Sequence, residues 1–118
     1  MKKNVILDLS FAFAVRIVNL SRHLSGEKKE YVLSRQVLRS GTSIGANVKE
    51  AIVAQSRKDF IAKLNISLKE ANETEYWLQL LHATGLLDDV DSILEDNRVI
   101  IRVLTSIIKS TNNNTPSK

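Results

Sequence analysis

Apolar positions in this chain recur at steps of three and four, the spacing of one helix face, over most of its length. In the first quarter Ile6, Leu9, Phe13, Ile17, Leu20 and Leu24 trace such a face and predict a helix from about Asn4 to Leu24. A second apolar line, Leu7, Phe11, Ala14 and Val18, runs along another side. A helix that is apolar on two sides is usually buried on two sides. In so small a protein the second cover is expected from a neighbouring subunit. Ser25-Gly26 supplies a stop, because glycine tolerates the left-handed cap conformation.

The second predicted helix runs from about Glu27 to Ala54, with Leu33, Val37, Gly41, Ile44, Val48 and Ala51 as its stripe. Its centre is Ser40-Gly41-Thr42-Ser43-Ile44-Gly45-Ala46. Each glycine costs about 1 kcal/mol against alanine in a helix interior. Two such costs among small neighbours point to close backbone approach, most simply by another helix.

The third helix begins near Ser56, where Ser56 and Asp59 form a variant capping box with aspartate in place of Glu or Gln. Phe60, Leu64, Leu68, Ala71, Leu78 and Leu81 mark its apolar face, and Gly85 ends it. Glu75 falls in the gap between Ala71 and Leu78. A lone buried carboxylate is costly, so Glu75 either reaches water at an edge or takes a basic partner such as Arg39. The fourth helix starts at Asp88 or Asp89, which with Asp91 suit the positive end of the helix dipole. Val90, Ile93, Leu94, Ile100, Ile101, Leu104, Ile107 and Ile108 give it a broad apolar face. Residues 111–118 have nothing to bury and are expected to form a disordered polar tail, leaving residues 1–110 as one domain.

Four helices of similar length joined by short connections favour an all-α, antiparallel, up-down-up-down four-helix bundle. No strand-like alternation or internal repeat competes with that reading. Because the first helix carries a second apolar side, copies of the bundle are expected to join.

The 118 residues suffice for one core. Charge is uneven: residues 1–58 hold 11 Lys/Arg against 4 Asp/Glu, and residues 59–118 hold 6 against 9. The basic half can attract phosphate. Unequal solvated charge, or subunits docking by complementary faces, explains the same pattern. There is no cysteine, hence no disulfide or thiolate chemistry, which fits a reducing cytoplasm. Asp8, Ser10, Arg16 and Asn19 interrupt the apolar start, so no secretory signal and no membrane span are expected.

Little in the chain suggests catalysis. No glutamate has histidine three residues on, the motif of di-metal bundles. His23 and His82 are isolated, so neither a metal nor a cofactor is expected. Gly41-Thr42-Ser43-Ile44-Gly45 lacks the Gly-Lys-Ser/Thr ending and preceding strand of a phosphate loop. Glu70, Glu73 and Glu75 read as a solvated or salt-bridged face. Tyr31, Tyr76 and Trp77 are the aromatics able to stack on bases. At 5% aromatic residues, core or interface use is preferred, with Trp77 a subunit-contact anchor.

Ser10-Phe11-Ala12-Phe13-Ala14-Val15-Arg16-Ile17-Val18, Ser40 through Ala51, Ser56-Arg57-Lys58-Asp59-Phe60-Ile61 and Leu68 through Leu78 fall in order along the chain. Over about residues 4–110 the sequence resembles the bacterial four-helix-bundle family whose first-known members are encoded in intervening sequences of 23S ribosomal RNA genes. The resemblance implies a left-handed antiparallel bundle assembling as a homopentamer. It also implies kinship with the accessory variability determinant of diversity-generating retroelements, a basic pentameric barrel thought to bind nucleic acid and a reverse transcriptase. The family label "ribosomal" reflects gene location, and no catalytic residues are established for it. The acidic residues Asp88, Asp89, Asp91, Glu95 and Asp96 depart from its more basic members.

With the ring-like homo-oligomer that the resemblance implies, the expectation is a non-enzymatic, cytoplasmic accessory protein that binds RNA or DNA through a basic surface. Lys28, Lys29, Arg35, Arg39, Lys49, Arg57 and Lys58 are the candidate contacts. Phe11, Gly41, Gly45 and Trp77 are the candidate packing and assembly positions. The alternative is a scaffold for a partner protein with no nucleic-acid role.

Overall fold

The computed structural model describes residues 4–113. Among them are four helices and no strands: α1 (Val5–Gly26), α2 (Val32–Ile52), α3 (Arg57–Ala83) and α4 (Asp91–Asn113). They form a rod of 55 × 24 × 24 Å. Each helix packs against its two neighbours, α1–α2, α2–α3, α3–α4 and α1–α4, with no diagonal pairing. Pairings run in opposite directions along neighbouring helices: Ser21 meets Ser34 and Ser10 lies against Gly45 across α1–α2, and Ser40 meets Thr74 and Ile44 meets Ser67 across α2–α3. The architecture is thus an antiparallel four-helix bundle.

The helix ends are set by local chemistry. The Asn4 side chain caps α1 by accepting from Leu7 N at 3.0 Å, and Ser56 caps α3 by accepting from Asp59 N at 3.0 Å. At the end of α3, Gly85 has φ +80°. Leu86 N donates to Leu81 O, and Gly85 N donates to His82 O. This is a Schellman closure, for which glycine is favoured. At the start of α4, Asp89 Oδ1 accepts from Asp91 N.

The expected bounds shift in several places, and α4 opens at Asp91 rather than at Asp88 or Asp89. Gly26 stays helical, and the left-handed residue of the α1–α2 connection is Lys29, with φ +57°. The second helix opens at Val32 rather than Glu27, because the Glu30 carboxylate accepts from Val32 N and Leu33 N and so starts the helix there. Helix α4 continues through Asn113, so the first three residues of the expected tail are helical. Residues 114–118 of that tail lie outside the described residues.

Phe13, Ile17, Leu24, Val37, Ile44, Leu64, Leu78, Leu81, Ile100 and Leu104 are fully buried. Each large apolar side chain there contributes about 1.5–3 kcal/mol. Between them the core carries Ser10, Ser21, Ser34, Ser40, Ser67, Thr74 and Asn97. Most of these tie neighbouring helices together. The Ser21 and Ser34 hydroxyls are 2.8 Å apart, and Ser34 Oγ lies 3.0 Å from Ser21 O. Ser67 Oγ donates to Ile44 O at 2.8 Å, and the Ser40 and Thr74 hydroxyls are 2.9 Å apart. Asn97 Nδ2 donates to Ala71 O at 2.9 Å, while Asn97 Oδ1 has no partner among the described residues.

The small patch on α2 is explained by α1. A Cβ at Gly41 would sit 2.7 Å from Ile17 Cγ1, and one at Gly45 would sit 3.3 Å from Ser10 O. Both glycines therefore serve close approach of α1 within one subunit. Thr74, not Glu75, fills the gap on the α3 face. Glu75 lies at the edge and faces Arg98 at 3.6 Å. The alternative pairing with Arg39 does not form, because Arg39 is taken up by Glu70 and Glu73.

Candidate nucleic-acid interface and assembly face

The bundle separates the seven candidate cations. Lys28, Lys29 and Arg35 lie at the end formed by the α1–α2 turn, whereas Lys49, Arg57 and Lys58 lie at the opposite end, where α2 passes into α3. The 21 residues of α2 span about 30 Å between the two groups. Arg39 lies between them with its charge already matched by Glu70 and Glu73, and Trp77 Nε1 donates to the same Glu73 carboxylate at 2.9 Å. One continuous basic stripe is therefore not what the fold builds.

Exposed cations without an ion pair to any described residue stand at both ends, Lys49 and Lys58 at one and four at the α1–α2 end, which the acidic α3–α4 turn with Asp88, Asp89 and Asp91 shares. Arg22, Lys28, Lys29 and Arg35 are exposed and make no ion pair with any described residue. The carboxylates nearest in the chain are occupied. Glu27 pairs with His23 at 2.9 Å, and Glu30 caps α2. At the opposite end Glu50 holds Lys63 at 2.9 Å. The hydrogen bond that Lys63 donates to Glu50, and then the Glu50 charge, hold the Lys63 ammonium above its ordinary 10.5. Burial opposes this and Asp59 adds to it.

The second feature is apolar. Phe11 is 68% exposed and Val15 48%. Phe11 borders a groove of about 540 Å³ between α1 and α2, with Leu7, Ala14, Thr42 and Ala46 in its wall and Asp8 and Lys49 at its rim. Residues 35, 42 and 49 are seven apart, so Arg35, Thr42 and Lys49 share one face of α2. The apolar groove is thus flanked by a cation toward each end of the rod. Trp77 is half-buried against the core rather than displayed, and its neighbour Tyr76 is the exposed ring, edge-on to Trp77 at 5.1 Å.

Among the described residues no group of three or more His, Cys, Asp and Glu is placed to hold a metal ion. No described helix is long and apolar enough to cross a membrane.

Sequence reasoning missed the buried hydroxyls and Asn97, whose only trace was a polar residue at each gap in an apolar stripe. It also missed that Glu27 and Glu30 are spent locally. Glu30 three residues before Leu33 was the available signal, as a side chain able to cap a helix start.

Known proteins share this architecture. A family model described as 23S rRNA-intervening sequence protein matches residues 2–106. A crystal structure at 1.70 Å of a protein of unknown function from the S23 ribosomal protein family, from Bacteroides thetaiotaomicron VPI-5482, superposes with a TM-score of 0.88. It is 60% identical, and the match covers 92% of this chain and 99% of that one. No curated protein matches.

Proposed function

We propose that this chain, which belongs to the 23S rRNA-intervening sequence protein family, is a non-enzymatic accessory protein that self-associates and binds nucleic acid through a basic surface. The observation that carries the reading is the α1–α2 end. Four exposed cations there make no ion pair with any described residue, while Glu27 and Glu30 are tied to His23 and to the helix start. Cations left free in this way attract phosphate and release counterions on binding.

Self-association rests on Phe11. A ring 68% exposed beside an apolar groove is a contact surface of the kind that closed oligomers use. The homopentamer implied by the family resemblance would place five copies of a +4 chain in one particle. Weak phosphate contacts would then gain avidity.

The same groove favours a second reading, a scaffold for a partner protein. Gel shifts with RNA and DNA across a salt series separate the two. Nucleic-acid binding is expected at about 50 mM salt and should weaken steeply toward 200 mM. Absence of any shift at the lower salt would remove the nucleic-acid reading and leave the scaffold. Light scattering with and without nuclease gives the particle mass and reports any nucleic acid that travels with it.

A further inference from the structure

The chain has two tyrosines, and both are exposed, Tyr31 at 50% and Tyr76 at 57%. Their surroundings differ: the carboxylates beside Tyr76 are matched by Arg39 and Arg98, whereas the cations beside Tyr31 make no ion pair with any described residue. Tyr76 leans edge-on against Trp77 and follows Glu73 and Glu75 in the chain. Tyr31 is the N-cap residue of α2, with Lys28 and Lys29 before it and Arg35 one turn after it. It makes no side-chain capping bond, so its phenol is not occupied in holding the helix.

The turn that carries Tyr31 is firmly built. Lys28 N donates to His23 O at 3.3 Å, and Glu30 N donates to Leu24 O at 2.9 Å. Lys29 takes the left-handed conformation that lets the chain reverse. Both Glu30 carboxylate oxygens accept from the first turn of α2, at 3.0 and 2.7 Å. Tyr31 and Val32, the latter 60% exposed, therefore project from a fixed corner rather than from a loose loop. Binding there loses little ordering entropy.

We infer that the α1–α2 turn is a contact for single-stranded nucleic acid, in which an unpaired base stacks on Tyr31 while Lys28, Lys29 and Arg35 hold the flanking phosphates. The inference rests on the nucleic-acid reading above and adds to it the form of the ligand and the residue that senses it. Low aromatic content argues against an extended stacking surface. A single ring among cations is enough for one base, and base stacking on an aromatic side chain tolerates any sequence. A duplex keeps its base faces stacked on one another. It can engage the cations but offers nothing to the ring.

The test is fluorescence anisotropy at about 50 mM salt with labelled oligouridine, a labelled DNA duplex, and phosphatidylserine vesicles as a third probe. Wild type should bind oligouridine. Tyr31→Ser should weaken that binding about tenfold or more, Tyr31→Phe should retain it, and duplex affinity should be the same in all three proteins. Circular dichroism melts should coincide, since the ring is exposed.

If wild type binds oligouridine and Tyr31→Ser binds it equally well, the stacking contact is refuted while the nucleic-acid reading stands. If wild type binds neither oligouridine nor duplex, the nucleic-acid reading itself falls, and this inference falls with it. Binding to vesicles alone, lost in Tyr31→Ser, would reassign the turn to an anionic lipid surface and overturn the proposal.

Discussion

Along the α1–α2 seam the helices meet over Gly41, Gly45 and Ser10, and Ile17 occupies the space that a Gly41 side chain would need. Across the α3–α4 seam a full side chain spans the gap, with Asn97 reaching Ala71 O and leaving its own oxygen without a partner among the described residues. Close approach in the first seam comes from atoms that are absent, so a side chain at Gly41 is a clash and one at Gly45 a tight fit. The second seam is bridged by a group whose desolvation is only half repaid, so an apolar replacement has something to gain. Small residues and a polar core residue can look equally odd in a sequence, yet they predict opposite responses to substitution.

The largest effect is expected at Gly41. Gly41→Leu should destabilise by about 3 kcal/mol or more, the upper range of overpacking, read as a lower urea midpoint. The cause can be isolated by combining Gly41→Ala with Ile17→Ala. The double variant should be more stable than the two single losses sum to, because the clash and its partner disappear together. A midpoint unmoved in Gly41→Leu would show that the seam opens freely, and the contrast would collapse.

Asn97→Leu is expected to act in the other direction, raising stability by about 1 kcal/mol as the orphaned oxygen leaves the core. A loss of 2 kcal/mol or more would instead mean that the oxygen is satisfied, as by a buried water. Gly45→Ala should lie within about 1 kcal/mol of wild type. Its gain in helix propensity is opposed by a Cβ 3.3 Å from Ser10 O, a backbone atom that yields little.

The smallest effect belongs to a surface pair well away from both seams. Lys63 is held above its ordinary value chiefly by Glu50, so its contribution is present at neutral pH. A group whose folded-state value is raised loses its contribution as pH climbs through that value. Lys63→Met should therefore melt slightly below wild type at pH 7, and the two melting curves should converge above pH 10.5. A gap that persists at high pH would point to lost packing instead.

The sequence revealed the number of helices, the Ser56 cap, the Gly85 stop and the tightness at Gly41, because each depends on spacing or on one residue's local chemistry. It misplaced the start of α2, since a run from Glu27 onward looks helical until Glu30 is seen to spend its carboxylate on Val32 and Leu33. It assigned Leu9 and Leu20 to the same face as Phe13 and Ile17, although Ser10 and Ser21 lie deeper. Buried serines are invisible to a hydrophobic stripe, because their cost is lifted by partners on another helix. The candidate cations were chosen by charge alone. Charge does not say that Arg39 is already matched, or that α2 holds Lys29 and Lys58 near opposite ends of the rod.

Lys29 occupies a backbone conformation that glycine adopts without penalty. Selection for thermal endurance and selection for ligand capture should therefore disagree at this position. Libraries sorted by heat resistance should enrich Lys29→Gly, and libraries sorted by retention on oligouridine should reject it. A residue on which two such screens vote oppositely is kept for what it touches rather than for how it folds.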